Sequence, residues 1–238
     1  MNKIDRIWAD AIANGGRDPG TGLYLRDRGD AGIIIQQAEW KWVSGYDYHG
    51  QTILDLGGHI GAAAQYLRHH TGGAVVSVEC DPGNAAAFLR NWPDGSEGVQ
   101  LVQAAVTSGI EPEVELYLGK TYTSTHTIRP VRGRAVVVVP TVSFHSLLRK
   151  HKPALIKCDI EGAEYALDWS ILPDSCTEIC LEYHYARPED LQRQLDMDAL
   201  MLGMGFRHLK EPANRVTFRK CCTAAYTRRP ANPFLEGL

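Results

Sequence analysis

The segment Ile53-Leu54-Asp55-Leu56-Gly57-Gly58-His59-Ile60-Gly61 restricts the fold more than any other stretch of the chain. A compact apolar run, Thr52–Leu56, is closed by Gly57 and Gly58, and Ala62–His70 then places Ala63, Tyr66 and Leu67 on one helical face. Strand, tight glycine turn and helix, in that order, make the first β-α junction of a nucleotide-binding sheet. Similar units follow. Val75–Cys80 reads as a strand with a helix from about Gly83 to Trp92, and Val99–Val106 as a third strand. Leu155–Ile160 is a fourth, with a helix from about Ala163 to Leu172. Glu178–Tyr183 is a fifth, with a helix from Pro188 to Leu202. Runs that are apolar throughout, rather than alternating, suit a parallel sheet covered on both faces. The expectation is an α/β fold with a doubly wound sheet.

Two regions interrupt the alternation. Val114–Leu118 and Arg134–Val142 are strand-like and joined by the polar stretch Gly119–Gly133, which reads as an inserted β-hairpin with a mobile tip. Phe206–Lys210 and Thr217–Thr227 are expected as a terminal antiparallel pair at the sheet edge. Residues 1–50 carry an aromatic cluster at Trp40, Trp42, Tyr46 and Tyr48 and are expected to cap a single domain spanning 51–238. With 44% hydrophobic and 22% charged residues, neither a disordered nor a collagen-like chain is possible.

Charge narrows the partners. The net charge is −3 and no basic tract is present, so nucleic acid is not a favoured partner; Arg129, Arg132 and Arg134 are a local basic segment. The apolar run Ala135–Val139 is far short of the ~20 residues a membrane span needs. No apolar stretch follows the N-terminus as in a secretory signal, so a cytoplasmic protein without membrane contact is expected. Cysteines 80, 158, 176, 180, 221 and 222 form no C-x-x-C pair and no zinc spacing, and read as thiols in a reducing compartment. Adjacent Cys221 and Cys222 point to opposite faces of a strand, a poor geometry for joining them.

The glycine turn also selects a ligand class. A dinucleotide fingerprint needs G-x-G-x-x-G, but position 56 is Leu, so the frame fails. What remains is D-x-G-x-x-x-G, with Asp55 just ahead of the glycines. A negative charge there opposes a pyrophosphate and suits a ligand with a cationic amine and sulfonium, such as S-adenosylmethionine. A tight turn with an incidental Asp has the same spacing. Glu79 ends the second strand 22 residues after Gly57, where an acid can accept hydrogen bonds from both hydroxyls of a ribose. The Gln103-Ala104-Ala105 stretch, after the third strand, is placed to hold an adenine or simply to pack.

Leu155-Ile156-Lys157-Cys158-Asp159-Ile160-Glu161-Gly162-Ala163-Glu164 brings Lys157 and three acids to the carboxyl end of the fourth strand, the ligand-binding edge of open α/β sheets. Strand alternation puts Lys157 and Asp159 on one face and Cys158 on the other. Lys157 either pairs with a carboxylate or is an exposed strand-end lysine. Glu161 and Glu164 fall in the first turn of the expected helix, which acids favour for dipole reasons alone; for Glu164 that explanation is preferred to a functional one.

These motifs together resemble the FkbM family of methyltransferases. Asp55-Leu56-Gly57-Gly58-x-x-Gly61, Val78-Glu79-x-Asp81-Pro82 and Ile156-Lys157-x-Asp159-x-Glu161-Gly162-Ala163-Glu164 carry the likeness, with Leu181-Glu182-Tyr183-His184 at the fifth strand, over roughly residues 50 to 205. The resemblance implies a Rossmann-like, seven-stranded class I methyltransferase sheet, with S-adenosylmethionine as methyl donor and a hydroxyl of a sugar or small metabolite as acceptor. It implies that Asp55, Gly57 and Gly61 line the methionine end, Glu79 the ribose, Asp159 the sulfonium, and Glu161 the acceptor. Gly58, His59, Cys80 and Ala104 complete the candidate donor set. His59 stands where the family commonly has a small or amide residue, and Cys80 where it has proline or a close variant.

An alcohol is a poor nucleophile, so a general base is expected among Asp159, Glu161, Glu182 and His184. The same carboxylates and histidine are a possible but not favoured home for a divalent cation. The hairpin tip Tyr122–Thr127 is either a substrate lid or a solvent loop. A homodimer contact through the N-terminal aromatics is a further possibility. Methylation of a nucleic acid or protein, and a non-catalytic S-adenosylmethionine-binding module, are the alternatives; the failed glycine frame argues against a nucleotide-dependent oxidoreductase.

Overall fold

The computed structural model describes residues 1–36, 47–93, 95–119, 127–128, 130–185, 187–210 and 221–229. In chain order the elements are α1 (Lys3–Ala13), α2 (Arg28–Gln36), β1 (Thr52–Leu56), α3 (Ala62–Thr71), β2 (Ala74–Glu79), α4 (Pro82–Asn91), β3 (Val99–Gln103) and β4 (Ala105–Thr107). Then follow β5 (Glu113–Tyr117), β6 (Val136–Ser143), α5 (Phe144–His151), β7 (Leu155–Cys158), β8 (Glu178–His184), α6 (Asp190–Gly203), β9 (Arg207–Lys210) and β10 (Cys221–Thr227).

Seven strands form one sheet in the order β3-β2-β1-β7-β8-β10-β9. β3, β2, β1, β7 and β8 are parallel, and β10 runs antiparallel between β8 and β9. This is the doubly wound α/β sheet the apolar runs called for, with the seven-stranded, Rossmann-like form the resemblance implied. Alternate residues of each central strand face opposite sides. Leu54, Val76, Ile156 and Ile179 pack with Phe144, Trp169 and Met201. Ile53, Val75, Leu155 and Cys180 pack with Leu67 and Phe88 from α3 and α4. Both faces are therefore buried, which is why neither strand surface carries an alternating polar pattern.

Local signals set the helix ends that frame the cleft. Asp81 caps α4, its side chain accepting from the Asn84 N–H at 2.7 Å, and Pro82 takes the first helical position, where no N–H is needed. Strand order reverses between β1 and β7, so the crevice outside their carboxyl ends is the fold's natural ligand position.

Several expectations need correction. The run Val99–Val106 is two strands: Ala104 breaks out to donate its N–H to the Glu79 carbonyl, and β4 joins a separate three-stranded sheet, β4-β6-β5, built on the inserted hairpin. No α-helix joins β7 to β8. Residues 163–172 form two short 3-10 turns, Glu164–Ala166 and Trp169–Ile171, because Glu161 and Gly162 turn the chain sharply through positive φ (+55° and +95°). The N-terminal residues are more regular than expected. Their core residues Ala11, Leu23, Leu25 and Ala31 pack on Ile60, Ala62 and Ala87, at the glycine turn, the start of α3 and the middle of α4, while Tyr48 packs with Ile53, Val75 and Leu155 of the central sheet. Trp40, Trp42, Tyr46, Tyr122–His126, Arg129 and residues 217–220 lie outside the described residues, as do the side chains of Cys221 and Cys222. Cys80, Cys158, Cys176 and Cys180 are free thiols. Among the described residues, no helix is long and apolar enough to cross a membrane.

Candidate active site

The glycine turn is held from below by a cross-strand trio. Register places Asp55 of β1 beside Ser77 of β2 on one side and Lys157 of β7 on the other. Ser77 Oγ donates to Asp55 Oδ2 at 2.7 Å, and Lys157 Nζ lies 3.1 Å from Oδ1. The same ammonium donates to the carbonyl oxygens of Gly57 at 2.6 Å and Leu56 at 3.3 Å. Burial pulls the Lys157 ammonium down, but Asp55 and Asp159 outweigh it and hold it above its ordinary value. Asp55, expected to face the donor, is fully buried and contributes no atom to the cleft wall; its charge is spent on Lys157 beneath the turn.

Gly57 adopts φ +85°, and a Cβ there would sit 1.8 Å from the Asp159 carbonyl oxygen, so no other residue fits. Its N–H and that of Gly58 both donate to the Val78 carbonyl, at 2.9 and 3.0 Å. Gly61, also expected at the donor, lies outside the wall, and a Cβ there would meet the Trp92 ring at 2.6 Å.

A cleft of about 220 Å³ opens at the carboxyl edge of β1, β2, β7 and β8. Gly57, Gly58 and His59 form one wall. Glu79 lines it from the end of β2, with one oxygen accepting from His59 N–H at 2.9 Å and the other from Asp81 N–H at 2.7 Å. Burial raises the Glu79 carboxyl above its ordinary range, against the lowering effect of those two donors. Each oxygen keeps a second lone pair for a ligand hydroxyl. Beside it Cys80, Ala104, Ala105 and Leu116 supply an apolar surface, and burial pushes the Cys80 thiol up, so it is no thiolate.

Asp159, Glu161, Glu182 and His184 line the same cleft. His184 Nε2 is 3.3 Å from Glu161 Oε2 and 3.7 Å from Asp159 Oδ1, while Nδ1 is 3.4 Å from Glu164 Oε1. Burial lowers the imidazole pKa, yet the Glu164 hydrogen bond and the charges of Asp159, Glu164 and Glu161 outweigh it and push the group up to about 10. His184 is therefore a cation at neutral pH. In that form it has no lone pair to accept a proton, which favours a carboxylate as the base. Asp159, Glu182 and His184 each present one side-chain ligand atom within 4.8 Å of the others.

Glu164 is the residue whose role was missed. It is fully buried, accepting from the backbone N–H groups of Gly162 at 2.7 Å and His184 at 2.8 Å, so it ties the β7 turn to the end of β8. It ends the acid-rich motif after β7, but its inward role depends on His184, 20 residues further on at the end of β8.

The model of the methyltransferase FkbM domain matches residues 55–208. Comparison with curated protein sequences finds no match. Among solved structures, a methyltransferase from Pyrococcus furiosus is 11% identical over 95% of this chain and 96% of its own, with a TM-score of 0.47. A precorrin-6y C5,15-methyltransferase from Geobacter metallireducens is 10% identical over 85% and 89%, with a TM-score of 0.44. Aeropyrum pernix fibrillarin with bound S-adenosyl-L-methionine is 10% identical over 76% and 67%, with a TM-score of 0.39. With the family match running from the glycine turn through α6, the chain belongs to the FkbM methyltransferase family.

Proposed function

We propose that this methyltransferase uses S-adenosylmethionine to methylate a hydroxyl oxygen of a sugar or small metabolite. One observation carries the reading: one cleft is lined by Glu79, by an apolar surface, and by Asp159 and Glu161. The donor set fits the cofactor. Among the described lining residues the cationic side chains are Lys157, engaged with Asp55, and His184, engaged with Glu161 and Glu164, so a phosphate-bearing ligand finds little to bind. Glu79 suits a ribose, Cys80, Ala104 and Ala105 a purine, the Gly57–His59 turn a methionine chain, and Asp159 a cationic centre. When bound, the cofactor supplies a methyl group already activated on a sulfonium.

The chain's own contribution is position and proton transfer. An acceptor oxygen must be held about 3–3.5 Å from the methyl group and in line with its bond to sulfur. Glu161 is the base in this reading. Its carboxylate takes the proton from the acceptor hydroxyl as that oxygen becomes an ether, and the His184 cation beside it fixes its orientation. Positioned bases of this kind contribute roughly 10²–10⁴-fold. The test is S-adenosylhomocysteine formation with free sugars, glycosides and aliphatic polyols as acceptors. Glu161→Gln should lose turnover by roughly 10²–10⁴-fold while still binding S-adenosylhomocysteine. Turnover within twofold of the unmodified protein would remove Glu161 from this role.

A further inference from the structure

A buried polar network joins the N-terminal helices to the cleft, and the function described so far makes no use of it. Asp30, on α2, is fully buried. It accepts from Arg26 three times: from the backbone N–H at 2.8 Å, from Nε at 2.9 Å and from Nη2 at 2.9 Å. The guanidinium thus grips the carboxylate through two of its own nitrogens, the geometry for which arginine is suited and lysine is not. It then reaches further. Nη1 donates to Asn84 Oδ1 at 2.8 Å, and Nη2 lies 3.4 Å from His59 Nε2, which is itself 3.9 Å from Asp30 Oδ1.

One planar group therefore touches α2, α4 and the glycine turn. Asn84 and His59 both line the cleft, and so does Ile33, one helical turn beyond Asp30 on α2. His59 is the strained member of the turn, with φ +47°. A non-glycine residue keeps that conformation only where its surroundings hold it. The backbone N–H of His59 is held by Glu79 and its imidazole by the Arg26–Asp30 pair.

We propose that Arg26 and Asp30 are positioning residues for donor binding: they hold the His59 side chain, and through it the glycine turn, in the shape the donor needs. The N-terminal helices are then a working wall of the donor site rather than a cover. The inference rests on the donor reading above.

The experiment is a binding cycle with S-adenosylhomocysteine, measured by calorimetry on the full chain, on Asp30→Asn, on His59→Gly and on the double variant. Glycine relieves the positive φ, so His59→Gly removes the link without straining the turn. Each single change is expected to weaken binding about tenfold, and the double no more than His59→Gly alone, because Asp30 acts through His59. Losses that multiply to roughly a hundredfold would show Asp30 acting independently and overturn the inference, as would single variants binding within twofold of the unmodified chain. If Asp30→Asn does not fold, Arg26→Lys takes its place in the same cycle, keeping the charge and losing the two-nitrogen grip. An unmodified chain that does not bind S-adenosylhomocysteine overturns the donor reading and this inference together. Binding by the unmodified chain without the expected coupling overturns this inference alone.

Discussion

Lys157 offers the sharpest test of how the glycine turn is supported. Its side chain is 3% exposed, and its ammonium meets Asp55 at 3.1 Å and the Gly57 carbonyl at 2.6 Å. Lys157→Met fills the same volume but leaves Asp55 fully buried with Ser77 as its remaining hydrogen-bond donor and no opposite charge in contact. Breaking a buried pair from one side costs about 3–5 kcal/mol, a large share of the ~5–15 kcal/mol that keeps a domain folded. Adding Asp55→Asn removes the stranded charge while keeping an acceptor for Ser77. The double variant should therefore regain much of the loss, with about 1–3 kcal/mol remaining for the unpaired Gly57 carbonyl. Urea unfolding at neutral pH, followed by circular dichroism, reads both numbers. A single variant that loses less than about 1 kcal/mol, or a double variant less stable than the single, would refute an ion pair as the turn's support.

Two further outcomes follow from the same geometry. His184 is raised from 6.5 to about 10 by its three carboxylates, against burial, so it stabilises the fold fully below about pH 6.5 and progressively less as pH rises through about 10. Unfolding free energy should fall across that window and the fall should be absent in His184→Gln; an identical slope in both proteins would contradict the assignment. Gly57→Ala should cost roughly 1–2 kcal/mol for the left-handed backbone and a further 1–3 kcal/mol for displacing the Asp159 carbonyl. Gly58→Ala, whose Cβ would have its nearest neighbour at 3.0 Å, should melt at a higher temperature than Gly57→Ala, and the reverse order would count against the contact.

The central sheet was legible because its strands are buried on both sides. Ile53, Leu54, Val75, Val76, Leu155 and Ile156 are apolar because both faces are covered, and the glycines after Leu56 mark the tight turn that feeds α3. Glu79, Asp159, Glu161, Glu182 and His184 were legible for a related reason: strand ends in such a sheet converge on one edge, so position in the unit predicts position in space. The direction in which Asp55 points was not, because it depends on which residues stand opposite in β2 and β7. Ser77 and Lys157 are 22 and 102 residues away. Residues 163–172 misled because alanine and two acids after a strand are ordinary helix-start signals. Here Glu164 turns inward to His184 and Gly162, and Trp169 packs on Phe144, which leaves room only for short 3-10 turns. Arg26 and Asn84 had no local signature at all, being 58 residues apart and joined only by folding.

The most direct measurement is a calorimetric titration of S-adenosylhomocysteine into the unmodified chain and into Glu79→Ala. The cleft predicts saturable binding by the first. In the second, loss of the two hydrogen bonds Glu79 would accept from the ligand should weaken it by roughly ten- to a hundredfold. Equal binding by both proteins would contradict Glu79 as the ribose contact, and no binding by the folded, unmodified chain would contradict the donor itself.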